Sequence, residues 1–336
     1  MQELTLEKQQ YYLETVSRTF ALTIPLLPKD LEDWIGNSYL LCRIIDTIED
    51  AVYLDKELKK IHMEKFVGYL SSPIGIEQWT AEICELVKSS SNEHENELMA
   101  DIPAVVGRYY SYPQEVQTIQ RRTVTIMGKG MSQIERWSKI DSVDEVDHYC
   151  YSVAGVVGEL LMSLFAYHCK AMRKDLDELL PYAVCFGEAL QLTNILKDVW
   201  DDLKRGVTWL PIKNDDPDRD EKVRYYISLA YGHCLDTMEF IKRIPVSELG
   251  IRKFCLLTNA MSLMTLKNMQ AKPDFKDAKE IKITRSDVRR LMIFYKLLGW
   301  CNPAIDYMTS KCSGSELQPI RRNVKEVCEK VSFWKK

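Results

Sequence analysis

Apolar residues recur three and four positions apart over helix-length stretches along nearly the whole chain. Short polar breaks separate them, and hardly any stretch alternates as a half-buried strand does. The pattern predicts an all-α protein with connections near residues 71–75, 89–97, 112–113, 138–144, 170–175, 204–220, 243–250, 270–284 and 309–319. No repeat of fixed period and no shift of composition divides the chain, so the expected architecture is one helical domain over residues 1–336. The most apolar run, residues 153–169, contains Glu159 and is shorter than the roughly 20 clean residues of a bilayer span. It predicts a buried central helix, and no transmembrane segment is expected.

Two helical segments carry polar stripes. In residues 39–50, steps of four, three and four place Tyr39, Arg43, Asp46 and Asp50 on one narrow face. Leu41, Ile44, Ile45, Ile48 and Val52 fall opposite. On these residues alone a solvated acidic face and a functional site are equally good readings. In residues 184–202, Gly187, Gln191, Asn194, Asp198 and Asp202 share a stripe, while Phe186, Leu190, Leu192, Ile195, Leu196, Val199 and Trp200 wrap most of the circumference. A helix apolar nearly all round is normally buried. Unpaired buried polar groups cost roughly 1 to 3 kcal/mol each, so this stripe is expected to line a wet cavity, a cation site or a basic surface.

Composition narrows the field. The 336 residues include only 14 Gly and 12 Pro, which supports helices over turn-rich sheets. The net charge of −4, with cations scattered along the chain, excludes nucleic acid as an expected partner. Ten cysteines without a C-x-x-C pair predict reduced thiols and a cytoplasmic protein, and the five histidines have no zinc-ligand spacing.

Each stripe has the form D-x-x-x-D with a third acid, Glu49 in one and Asp201 in the other. Two such clusters around one cavity would repel each other unless cations lie between them. Oxygen donors without histidine or thiolate suit Mg²⁺, which combines one or two carboxylates with waters and substrate phosphates. No G-x-x-x-x-G-K-[ST] is present, since Gly128-Lys129-Gly130 does not extend to one. The expected substrate is therefore a diphosphate on an apolar tail, whose leaving group a metal would stabilise.

Five ordered blocks sharpen this reading: Ser17-Arg18-Thr19-Phe20, residues 39–50, residues 127–131 (MGKGM), residues 149–158 (YCYSVAGVVG) and residues 190–202 (LQLTNILKDVWDD). Together they resemble the squalene/phytoene synthase family over almost the whole chain. The resemblance implies an isoprenoid-synthase fold, a helical bundle around a central cavity. It implies Mg²⁺ held by Asp46, Asp50, Asp198 and Asp202, and Arg18 and Arg43 paired with diphosphate oxygens. Ser17, Phe20, Tyr39, Gln191, Asn194 and Lys197 would line the substrate site, with Tyr149 near the proton lost in the first half-reaction. Gly155 and Gly158 are expected to permit close helix packing.

Residues 254–266 followed by Lys282-Ile283-Thr284-Arg285 resemble the C-terminal part of squalene synthases, which implies an NADPH contact at Lys282 and Arg285. Thr284 stands where arginine is expected, as does Lys197. Residues 204–211 look more like the phytoene and dehydrosqualene branch. The expected reaction is head-to-head condensation of two farnesyl diphosphates through presqualene diphosphate, then NADPH-dependent reduction to squalene. Dehydrosqualene or phytoene formation without reduction, and a non-catalytic assembly or lipid-binding role, stand as alternatives. A head-to-tail chain-elongating enzyme fits less well, because neither motif begins with paired aspartates. A hydrocarbon product leaving for a bilayer implies transient contact with a membrane surface, for which the sequence singles out no docking face. It names no protein partner.

Overall fold

The computed structural model describes residues 3–17, 19–133, 140–204, 208–213, 216–272, 275–314 and 316–331. Among these residues there are helices and no strands. The chain divides into two compact units, Met1–Ile134 and Glu135–Lys336, and each is described by itself.

In the first unit, α1 (Leu6–Val16), α2 (Phe20–Thr23) with a 3-10 turn, and α3 (Lys29–Glu49) are followed by α4 (Lys56–Tyr69), α5 (Ile76–Val87), α6 (Glu93–Ala100), α7 (Ile102–Tyr110) and α8 (Gln114–Met131). The central element is α3. Its Leu31, Ile35, Leu41, Ile44, Ile45 and Ile48 are buried, and it packs against α1, α4, α7 and α8. The MGKGM block lies at the end of α8. A Cβ on Gly128 would meet Ile45 Cδ1 at 3.2 Å, so a small residue here lets α8 lie close to α3. Val52 departs from expectation: α3 ends at Glu49 with Asp50 as its C-cap, and Val52, beyond that end, is 77% exposed.

The second unit begins with α9 (Val143–Cys150), a π-helical turn (Tyr151–Gly155) and α10 (Val156–His168). It continues through α11 (Lys170–Arg173), α12 (Leu176–Lys204), α13 (Arg219–Arg243), α14 (Leu249–Ala271), α15 (Arg285–Leu298), α16 (Asn302–Ser313) and α17 (Val324–Val331). The central element is α12, which packs against α10, α13, α14 and the π turn. Glycine permits the closest of these approaches. A Cβ on Gly158 would sit 1.9 Å from the Ala183 carbonyl oxygen, and one on Gly187 would sit 2.0 Å from that of Ala154. Gly187, counted on the polar stripe from its spacing, is thus a packing contact.

Helices 143–168 and 176–204 are long and apolar enough to cross a membrane by length and composition, yet 78% and 72% of their apolar windows are buried inside the protein. The expectation of a buried central helix at 153–169 holds. Inside it Glu159 is fully buried and accepts a hydrogen bond from Tyr151 Oη at 3.1 Å. All ten cysteines are free thiols. Several connections are shorter than their composition suggests. Asn92 caps α6 in a reciprocal box with Glu95, so helix begins inside the 89–97 break, and α16 runs on to Ser313.

Candidate active site

In the first unit the polar face of α3 gathers the groups its spacing predicts. Tyr39 Oη donates to the Val16 carbonyl at 3.2 Å, and its ring lies 5.5 Å from that of Phe20. Ser17, buried, accepts the Phe20 backbone N–H at 3.1 Å. The N-terminal block and the α3 stripe therefore meet, and the Ser17 hydroxyl is taken up by the first backbone N–H of α2. Arg18 lies outside the described residues.

One turn further along, Arg43 pairs with Glu95 of α6. That contact was not legible, because 52 residues separate the partners. Arg43 Nε is buried and has no hydrogen-bond acceptor among the described residues. Lys59 of α4 donates to the Glu49 carbonyl.

The acids at this end crowd one another. Burial pushes Asp46 up to about 7, with Arg43 opposing the shift and Asp50, Glu49 and Glu95 adding to it. Burial and Asp50 likewise push Glu49 up to about 7, against the pull of Lys59. Asp50 is also raised, first by burial. Three crowded carboxylates, each raised above its ordinary value, are short of positive charge. A hard divalent cation would supply it, and the donor set is all oxygen, as Mg²⁺ prefers.

In the second unit the stripe on α12 opens into a cleft of about 580 Å³ lined by Gln191, Asn194, Ile195, Asp198, Asp201, Asp202, Lys204 and Trp209. Three carboxylates, two amides and one cation thus meet open space, which is where a polar stripe on an otherwise buried helix must point. Lys197 Nζ lies 3.2 Å from Asn194 Oδ1 and 3.4 Å from Asp198 Oδ2, and Lys204 holds Asp201 at 2.9 Å. The indole of Trp209 stacks on Tyr149, with centroids 4.4 Å apart and planes 9° from parallel. This contact ties Tyr149 of α9 to the cleft wall. Spacing alone did not single out Trp209, although it stands in the 204–211 segment; residues 205–207 of that segment lie outside the described residues. The oxygen donors here also fit Mg²⁺.

Lys282 follows a 3-10 turn (Ala278–Ile281) that packs on α12 and α14, and Arg285 is the first residue of α15. Both are exposed. Thr284, the departure from the expected arginine, caps α15 in a reciprocal box with Asp287.

A buried polar chain escaped the sequence reading. Arg322 holds Asp147 through two bonds of 2.6 and 2.8 Å and approaches His233 Nε2 at 3.1 Å. His233 Nδ1 faces Glu188 Oε2 at 3.9 Å. Burial, with Arg322, pushes His233 down to about 3, and burial holds Glu188 well above the carboxylate range. The Cys185, Glu188 and His233 ligand atoms lie within 4.8 Å of one another, a trio that histidine spacing did not suggest. Arg322 can only donate, so Nε2 is the accepting nitrogen of a neutral ring and Nδ1 carries the proton. The ring thus offers no lone pair toward Cys185 and Glu188, and the trio is better read as a structural network than as a zinc site.

Comparison with known proteins agrees with the order of these elements. The squalene/phytoene synthase family profile matches residues 13–287. The chain is 25% identical to the squalene synthase of Schizosaccharomyces pombe over 283 residues, covering 78% of this chain and 59% of that protein. It is 26% identical to a probable squalene synthase of Neurospora crassa, covering 84% and 60%. With the squalene synthase of Rattus norvegicus it shares 25% identity, covering 76% and 61%. The chain thus spans about three-fifths of the length of these curated relatives. A ligand-bound TcSQS structure superposes with a TM-score of 0.74 at 21% identity, covering 97% of both chains. A ligand-bound dehydrosqualene synthase superposes at 0.61 and 17%, covering 87% of this chain and 95% of the other. These likenesses show the all-α isoprenoid-synthase fold.

Proposed function

The chain belongs to the squalene/phytoene synthase family, and from that premise we propose that it is a prenyltransferase that joins two farnesyl diphosphates head to head and reduces the product to squalene. The observation that carries this reading is the polar stripe of α12, whose Gln191, Asn194, Asp198, Asp201 and Asp202 line an open cleft while Phe186, Leu192, Leu196 and Val199 of the same helix are buried in core. In this reading Asp46 and Asp50 in the first unit, and Asp198 and Asp202 in the second, hold Mg²⁺ on the diphosphates. Bound there, the metal neutralises charge on the departing diphosphate.

The chain's own residues do the rest. Arg43, held by Glu95, contributes a guanidinium charge beside the α3 carboxylates, and Lys197, already among the cleft oxygens, supplies a point charge. Diphosphate departs from one substrate, a carbon–carbon bond forms to the acceptor's double bond next to its own diphosphate, and a proton is lost as the cyclopropane of presqualene diphosphate closes. In this reading Tyr149, stacked on Trp209, receives that proton or passes it on. Phe20 and Tyr39 offer π faces to cationic carbon, worth roughly 0.5 to 2 kcal/mol each. In the second half-reaction the remaining diphosphate leaves presqualene diphosphate and the cyclopropane rearranges to a new cation. Lys282 and Arg285 are the cations that would hold the NADPH phosphates, and NADPH, when bound, would supply the hydride that quenches it. Relatives named squalene synthase favour the reductive product. The second reading, dehydrosqualene formation without reduction, has the resemblance of residues 204–211 in its favour.

The deciding experiment incubates purified protein with farnesyl diphosphate and Mg²⁺, with and without NADPH, and identifies the products by mass spectrometry. Presqualene diphosphate without NADPH and squalene with it are expected. One and the same hydrocarbon in both tubes would overturn the reductive assignment, and no carbon–carbon bond formation in either would overturn the whole. Geranylgeranyl diphosphate in parallel tests the chain length.

A further inference from the structure

The outer face of α15 has a composition unlike the rest of the surface. Leu291 and Tyr295 point into the protein at 3% and 2% exposure, whereas Ile293 and Leu297, one turn apart, are 54% and 65% exposed. Met292 lies beside them at 37%, and Trp300, just past the helix end, is 52% exposed. The Trp300 indole N–H is already spent on the Leu297 carbonyl at 3.0 Å, so the ring presents an apolar face beside Leu297. Arg289, Arg290 and Lys296 flank this stripe and are exposed. The segment 285–300 carries four cations and one carboxylate, in a chain whose net charge is −4. That carboxylate, Asp287, is engaged in capping the helix and reaches Arg290 only at 3.8 Å. No carboxylate among the described residues pairs with Arg289 or Lys296.

An apolar stripe bordered by exposed cations, Arg289 and Lys296 without a carboxylate partner among the described residues, and ended by a tryptophan matches the chemistry of an anionic bilayer surface. Aliphatic side chains enter the acyl boundary, cations meet lipid phosphates, and the indole sits at headgroup level. A second copy of this chain fits poorly, because a symmetric contact would set Arg289, Arg290 and Lys296 against their own counterparts. We propose that α15 and Trp300 form the docking face by which this protein binds an anionic lipid bilayer. The apolar product proposed above gives such docking a use, but the argument rests on the face itself.

The test is co-sedimentation of the full chain, without substrate, with vesicles of phosphatidylcholine alone or mixed with phosphatidylglycerol, at low and high salt. Binding at least about tenfold stronger to the anionic vesicles, and weakened by salt, is expected. Leu297→Asp should lose about tenfold or more in binding with helix content unchanged. Replacing Arg289, Arg290 and Lys296 together by Gln should remove the preference for anionic lipid, at about fivefold per cation. If Leu297→Asp disturbs the fold, the triple Gln variant decides. Equal binding to both vesicle types, no binding, or unaltered binding by the variants would overturn the proposal. So would a dimer that forms without lipid and is abolished by Leu297→Asp. Vesicle binding by a protein that makes no hydrocarbon would sink the proposed reaction and leave this inference standing.

Discussion

The acidic end of α3 and the acidic stripe of α12 carry the same D-x-x-x-D spacing, yet their surroundings differ. On α3 the protein has already brought its own partners: Arg43 is tied to Glu95, Lys59 to the Glu49 carbonyl, and Tyr39 to the Val16 carbonyl. Its carboxylates are crowded, and Asp46 and Glu49 are pushed up to about 7. On α12 the same residue types line a cleft of about 580 Å³, with Lys197 and Lys204 as the local cations. The motif fixes which atoms share a face, while the neighbouring helices decide whether that face is tied down or left open to a ligand.

The largest expected effect treats both regions alike. Asp46→Ala and Asp198→Ala should each lower turnover by about 10² or more, as loss of a main electrostatic stabiliser does, measured as steady-state product formation. A large loss in one and a wild-type rate in the other would leave only one of the two acidic ends with a role in the reaction.

Glycine substitutions should separate the regions by stability. Gly187→Ala pushes a methyl to 2.0 Å from a backbone carbonyl and should cost about 2 to 3 kcal/mol in denaturant titration. Gly128→Ala crowds the flexible tip of Ile45 at 3.2 Å, meets Val67 at an ordinary 3.6 Å and gains helix propensity, so its effect should stay within about 1 kcal/mol.

The crowding on α3 predicts a pH signature. Asp46 has a folded pKa raised from 3.8 to about 7, so its ionisation opposes folding; the penalty grows from about pH 4 and is complete above 7. Metal-free Asp46→Asn should therefore melt a few degrees above the wild type at pH 8, with the gap closing toward pH 4. A gap that widens on acidification would contradict the crowded-carboxylate description. The smallest contrast concerns partners. Tyr39→Phe loses a bond to backbone and should cost about 1 kcal/mol, whereas Asn194→Ala at the open cleft should leave stability within about 0.5 kcal/mol and lower turnover.

Much of this was legible from local pattern. The helices, the buried apolar run ahead of Cys169 and the two polar stripes follow from spacing within a single element, and so does the meeting of Gln191, Asn194, Asp198 and Asp202 on one side of α12. Partners from distant parts of the chain were not legible. Nothing near Arg43 announces Glu95, and nothing near Asp147 announces Arg322, 175 residues away. Val52 was misplaced because periodicity carries no mark of where a helix stops, and Gly187 because spacing cannot distinguish a gap for a ligand from a gap for another backbone.

The π turn at 151–155 has a consequence for engineering. Val156 N–H reaches back five residues to the Tyr151 carbonyl, so this stretch holds one residue more than an α-helix over the same rise. Removing one residue here would let ordinary α-winding cover the same rise, so α9 would keep its facing on α10 and Tyr149 its stack on Trp209. The same deletion a turn further along α10, where no surplus residue exists, would turn everything upstream by about 100° and break that stack. A chimaera that imports α9 from a relative can therefore differ by one residue at this joint and nowhere else along the two helices.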